Sequence, residues 1–160
     1  MDRAHFQREM IRTELAEIVG EDFVSMRESD KLVYSTDWSW MPQMWLDRGK
    51  PLMPPDFIVH PASPEHVSEL MFVANKYRIP IVPWGGGSGT QGGALPMFGG
   101  ILLDTKRMNK IIRIDDVSLT ATAQAGINIQ ELEWAVNDKG LMFPHYAASS
   151  NCATLGGALA

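Results

Sequence analysis

From Gly85 to Gly93 the chain carries six glycines in nine positions, directly after the strand-like run Ile81-Val82-Pro83-Trp84. Glycine at that density frees the backbone to adopt positive φ and removes side chains that would hold a ligand at a distance. Successive N–H groups can then converge on one concavity, which suits a phosphate or pyrophosphate. Ser88 and Thr90 add hydroxyl donors. The stretch predicts a nucleotide site. A ligand-free hairpin loop is the other reading, disfavoured because so many glycines are entropically costly unless something uses them.

Gly87-Ser88-Gly89-Thr90-Gln91-Gly92 has the spacing G-x-G-x-x-G. A dinucleotide fingerprint of that form needs a helix to open inside the motif, so that the pyrophosphate meets its N-terminus. Here the chain continues Gly93-Ala94-Leu95-Pro96-Met97-Phe98-Gly99-Gly100 and then Ile101-Leu102-Leu103-Asp104. Glycines and a proline forbid the helix, and the next element reads as a strand. Asp104 comes too early for the acidic residue expected about 20 positions on. No Lys-Ser or Lys-Thr follows the last glycine, so a P-loop is also disfavoured.

The 160 residues suffice for one ordinary core, and 45% apolar with 21% charged residues is a globular composition. A net charge of −5 gives no footprint for nucleic acid. A lone cysteine, Cys152, excludes an intrachain disulfide framework. The charged start Met1-Asp2-Arg3-Ala4-His5 lacks the apolar core of a signal peptide, and no apolar run approaches the roughly 20 residues that span a bilayer. A cytoplasmic location is the expectation.

Apolar spacing predicts a helix over 4–19, with Phe6, Met10, Ile11, Leu15, Ile18 and Val19 inward and Gly20 as its stop. Residues 21–55, with prolines at 42, 51, 54 and 55, read as an irregular connection. Within it Trp38, Trp40, Met41, Met44 and Trp45 form either a loop packed on the core or a surface awaiting a domain, subunit or substrate channel. Phe57 to His60 is a strand. Ser63 and Pro64 then cap a helix to Tyr77 whose inward face is Val67, Leu70, Met71, Ala74 and Tyr77. Ile79 to Val82 and Ile101 to Asp104 are strands, and Ile111–Ile114 with Leu119–Ala123 an antiparallel pair. A helix from Asn128 to Lys139, with Ile129, Leu132 and Val136 inward, ends at Gly140; Leu141 to Phe143 is a last strand. The class is α+β with a mixed sheet and flanking helices.

These elements resemble, in order, the N-terminal part of the FAD-binding PCMH-type (vanillyl-alcohol oxidase / p-cresol methylhydroxylase) family. The similar branch holds glycolate oxidase flavin subunits, D-lactate dehydrogenases and alkyl-dihydroxyacetonephosphate synthases. The resemblance is carried by Tyr34-Ser35-Thr36-Asp37, by Pro55 to Ser63, and by the loop 83–93. It continues through Leu102-Leu103-Asp104 with Met108-Asn109-Lys110-Ile111-Ile112, then Ala123-Gln124-Ala125-Gly126, Gly140 to Pro144 and Ala153-Thr154-Leu155-Gly156-Gly157. It implies residues 1–50 as an N-terminal helix and connecting segment. Residues 51–160 become the N-terminal part of a two-subdomain FAD-binding domain, cut short of a substrate domain that would hold the catalytic residues.

By the same resemblance, Trp84, Gly85, Gly86, Gly87, Ser88, Gly89, Thr90, Gln91, Gly92 and Gly93 cradle the FAD pyrophosphate. Ser149, Thr154, Gly156 and Gly157 approach the ribityl chain and ring; for Ser149 and Thr154, local capping of a turn is the rival reading. Trp84 stands where many members have an arginine. Ser88 stands where berberine-bridge-type relatives carry a flavin-linked histidine, which excludes a histidyl bond from this loop. Cys152 occupies the second attachment position of those relatives. It is read as a small residue near a non-covalent flavin, with a cysteinyl link as the minority alternative. His145 is the one histidine placed near the site, while His60 packs beside Pro61 and His66 lies on its helix surface. The implied activity is oxidation of a hydroxy acid or similar alcohol by hydride transfer to flavin. Electrons would pass to an acceptor such as an iron–sulfur or electron-transfer flavoprotein subunit. An alkyl-dihydroxyacetonephosphate-synthase-like transferase and a non-catalytic nucleotide-binding module are the alternatives, and no metal site is expected.

Overall fold

The computed structural model describes residues 3–160. Met1 and Asp2, read above as part of the charged start, lie outside the described residues. In chain order the elements are α1 (Arg3–Val19), β1 (Val24–Ser25), α2 (Glu28–Val33), α3 (Trp40–Asp47), β2 (Phe57–Val59) and α4 (Pro64–Tyr77). They continue with β3 (Ile81–Trp84), β4 (Ile101–Asp104), β5 (Ile111–Asp115), β6 (Thr120–Ala123), α5 (Ile129–Asn137) and α6 (Leu155–Leu159).

Strands β2 and β4 are apolar at nearly every position, as expected of strands buried on both faces. They form the centre of a four-stranded sheet in the order β1-β2-β4-β3, parallel throughout except for antiparallel β1. Period-two alternation divides their side chains. Phe57, Val59, Ile101 and Leu103 face a core closed by Ile11, Leu15 and Val19 of α1 and Leu70, Val73 and Ala74 of α4. Ile58 and Leu102 face the other side, where Trp84 and Tyr34 cover them. The antiparallel pair β5–β6 is a separate sheet backed by Leu132 and Val136 of α5.

Helix boundaries follow their caps. Ser63 Oγ accepts from the His66 N–H at 3.3 Å with Pro64 opening α4, and Asn128 Oδ1 accepts from Gln130 and Glu131 to open α5. Gly20 takes φ +95° and its N–H caps Ala16 O.

Four expectations change. Residues 21–55 contain β1, α2 and α3. β1 exists because Val24 and Ser25 pair with Val59 and Ile58, a long-range contact that local pattern does not report, and Pro42 sits in the first turn of α3, where its missing N–H costs nothing. Leu141 to Phe143 is not a strand: the Phe143 N–H donates to Glu133 Oε2 at 3.2 Å. Ile79 lies before β3 rather than in it. Phe6, Met10 and Met71 are exposed. A 17-residue helix runs roughly 25 Å, whereas a four-residue strand covers roughly 13 Å. The first turns of α1 therefore overrun the sheet.

Leu15→Ala, at the centre of the α1 contact, is expected to lower unfolding free energy by about 2–5 kcal/mol. Phe6→Ala is expected to change it by less than about 0.5 kcal/mol. Urea denaturation of the two variants checks this, and comparable losses would place Phe6 in the core after all.

Candidate functional site

β3 and β4 run parallel, so their carboxyl ends, Trp84 and Asp104, lie side by side. Ligands of open parallel sheets collect at such ends. The glycine loop leaves the end of β3, and a 3-10 turn, Thr105–Arg107, leaves the end of β4. Opposite the loop lies the segment 145–160, held to the rest of the chain by its backbone. Ile129 N donates to Ala153 O, Leu155 N to Ile127 O and Gly156 N to Ala125 O, at 3.0, 2.9 and 2.7 Å.

Between loop and segment is a cavity of about 520 Å³, within the roughly 300–1,000 Å³ usual for small-molecule sites. Gly85, Gly86, Gly87, Ser88, Gly89, Thr90, Gln91 and Gly93 line one side, and Ser149, Thr154, Gly157 and His145 line the other. Ser149 Oγ donates to Ser88 Oγ across the rim at 3.0 Å. Thr154 is buried, and its hydroxyl also caps α6 by accepting from Gly157 N at 3.4 Å. The capping of the turn is thus observed, on a residue that also lines the cavity.

The first glycines are required by the opposite wall. A Cβ on Gly85 would fall 2.2 Å from Thr154 Oγ1, and one on Gly86 would fall 2.0 Å from the Cys152 carbonyl oxygen. Gly87, at φ +64°, has its would-be Cβ 2.3 Å from the Trp84 ring. Around Gly89 and Gly93 the space is open. Among the described residues, no backbone N–H from Gly85 to Gly93 donates to a protein acceptor. A row of unused donors beside a cavity walled on one side largely by glycine fits a diphosphate-bearing cofactor.

Three of the residues expected at the site do not line the cavity. Trp84 continues the alternation of β3, so its ring turns under the sheet onto Ile58 and Leu102 and meets Tyr34 edge-on at 5.2 Å between centroids. Gly92, at φ +76°, gives room to Met41 of α3, and Gly156 gives room to Ala125. These three shape the site without lining it. The tryptophan-rich segment thus packs behind the loop: Trp38 N donates to Gly87 O at 3.2 Å, while the Trp38 and Trp40 rings stay exposed. Cys152 is exposed and is not among the lining residues.

A polar cluster beneath the loop was not anticipated. Asp104 is fully buried. Its Oδ2 accepts from Tyr34 Oη at 2.6 Å and from Lys106 Nζ at 2.7 Å, and its Oδ1 accepts from Lys106 N at 2.9 Å. His60 Nδ1 lies 3.6 Å from Oδ2. Burial pushes His60 below the ordinary imidazole range despite the carboxylate, so at neutral pH the contact is not an ion pair. Burial and the hydrogen bond to Asp104 raise the Tyr34 phenol well above its usual range. The signal was present in the spacing: His60 shares parity with Ile58, and Asp104 with Leu102, on neighbouring strands.

The family model of an FAD binding domain matches residues 55–160. The chain is 32% identical over 147 residues to glycolate oxidase subunit GlcD of Bacillus subtilis, covering 92% of this chain and 29% of that protein. It is 36% identical over 103 residues to a D-lactate dehydrogenase of Archaeoglobus fulgidus, covering 64% and 23% respectively. A solved alkyldihydroxyacetonephosphate synthase superposes with a TM-score of 0.83 at 30% identity, covering 93% of this chain and 28% of that one. The chain thus spans less than a third of the length of each.

Gly86→Ala, which must push the Cys152 carbonyl aside, is expected to lower the stability of the ligand-free protein by about 1–3 kcal/mol. Gly89→Ala meets open space and is expected to stay within about 0.5 kcal/mol. Chemical denaturation of both variants checks the contrast; equal effects would mean that the loop and the 152–154 segment do not touch.

Proposed function

Because the chain belongs to the family of FAD binding domains, we propose that the protein is an FAD-dependent oxidoreductase acting on a hydroxy acid or a similar alcohol. The observation that carries the reading is the cavity shared by the glycine loop and the Ser149–Gly157 segment, lined by glycines and small polar residues with no lysine or arginine. When bound, the flavin supplies the capacity to accept a hydride from the substrate carbon. The chain's own part is to hold and orient that group. Gly85, Gly86, Gly87, Ser88, Gly89, Thr90, Gln91 and Gly93 offer donors for the diphosphate. Ser149, Thr154 and Gly157 form the facing wall, while Trp84, Gly92 and Gly156 support from behind. The hydroxy-acid class is supported by the names of the glycolate oxidase and D-lactate dehydrogenase relatives. An electron acceptor of the iron–sulfur or electron-transfer flavoprotein kind, and a cytoplasmic location, belong to the same proposal. Among the described residues no helix is long and apolar enough to cross a membrane.

A second reading is a flavin-dependent transferase without net redox change, favoured by the likeness to alkyldihydroxyacetonephosphate synthase. Anaerobic addition of D-lactate or glycolate separates the two. Bleaching of the flavin absorption supports dehydrogenation, and an unchanged spectrum with both acids counts against it.

The flavin is held without a covalent bond in this reading. Ser88 offers no imidazole at the loop, and Cys152 turns its carbonyl, not a cavity-lining thiol, toward Gly86. The purified protein is expected to be yellow. Heat or acid denaturation followed by filtration is expected to release essentially all the colour, from wild type and from Cys152→Ala alike. Colour retained by the wild-type precipitate and released from the variant would establish a cysteinyl link instead.

A further inference from the structure

The cavity lining contains no lysine and no arginine, so an anion placed there is met chiefly by backbone N–H groups. Whether those groups converge depends on how successive peptide planes are turned. In a strand, neighbouring carbonyls point to opposite sides; in an anion nest, neighbouring N–H groups share a side. The first two planes of the glycine loop are held from behind. Thr105 Oγ1 donates to the Trp84 carbonyl at 3.1 Å. Lys106 Nζ reaches the Gly85 carbonyl at 3.5 Å, a long contact that its charge strengthens. Both donors belong to one short turn, so two consecutive carbonyls face the same way. The peptide bonds of the described residues are all trans. In a planar trans peptide the N–H points opposite to the C=O, so the Gly85 and Gly86 N–H groups face away from that turn together.

The turn is itself anchored. The buried Asp104 carboxylate grips Lys106 through its backbone N–H and its ammonium, and Arg107 donates to the His60 carbonyl at 2.7 Å. On the far side, the Thr105 carbonyl lies against Gly126, where a Cβ would fall only 1.8 Å from it. The turn has little room to move.

We propose that Asp104, Thr105 and Lys106 are positioning residues that set the first two peptide planes of the glycine loop, so that consecutive N–H groups face the diphosphate of the bound cofactor. This rests on the flavin reading above.

The test is to titrate FAD and its diphosphate-free fragment riboflavin against wild type, Thr105→Val, Lys106→Met and Lys106→Arg. Thr105→Val and Lys106→Met are each expected to weaken FAD about tenfold, the scale of one hydrogen bond to a charged group. Lys106→Arg is expected to recover most of the loss, and riboflavin affinity to move by less than about twofold in all three. Unchanged FAD affinity overturns the inference, as does a parallel loss of FAD and riboflavin, which would mark a merely structural role. A wild-type protein that takes up neither ligand overturns the flavin reading itself, and this inference with it.

Discussion

The site depends on the glycine loop lying directly against the Thr154 hydroxyl and the Cys152 carbonyl, with no side chain of its own at the contact. Gly85 and Gly86 lie against Thr154 and the Cys152 carbonyl so closely that a single methyl group on either would occupy space already filled. Everything else in the molecule serves that approach. The parallel strands deliver the loop at their carboxyl ends, and the cap of α5 and the bonds of Ala125 and Ile127 fix the 153–156 backbone. The Thr105–Arg107 turn backs both. A wall made of peptide groups presents dipoles whose positions are set by the fold, whereas lysine or arginine side chains would have to give up rotamer freedom on binding.

The glycine loop, the caps of α4 and α5 and the buried strand β4 were legible in the sequence because each is a local pattern with a local cause. Ser63-Pro64 and Asn128 open helices wherever they stand before apolar periodicity. Six glycines in nine residues have few other uses. What escaped were relations set by distant partners. Trp84 resembled part of the loop because it adjoins Gly85, yet pairing with Asp104 extends the strand through it and carries its ring beneath the sheet. Gly92 and Gly156, expected from the sequence as ligand contacts, also make way for Met41 and Ala125, neighbours that no local pattern could supply. The Asp104 cluster needed both strand register and the return of Tyr34, 70 positions earlier.

The two faces of the sheet divide the labour. One face is apolar throughout, closed by α1 and α4. The other carries Ile58 and Leu102 and then, one step of the pleat further along, the polar pair His60 and Asp104. A buried carboxylate is tolerable only when its hydrogen bonds are made, and Asp104 makes three. The burial that would ordinarily penalise the charge here confines Tyr34 and Lys106 to one arrangement.

The hydroxyl pair Ser88 and Ser149 joins opposite rims of the cavity across 61 residues of sequence. A ribosome adding about 5–20 residues per second would therefore finish the glycine loop roughly 3–12 s before its opposite wall exists. During that interval the glycine loop has no opposite wall. The cavity closes only when a long-range contact forms, and its presence reports that the two halves of the chain have met.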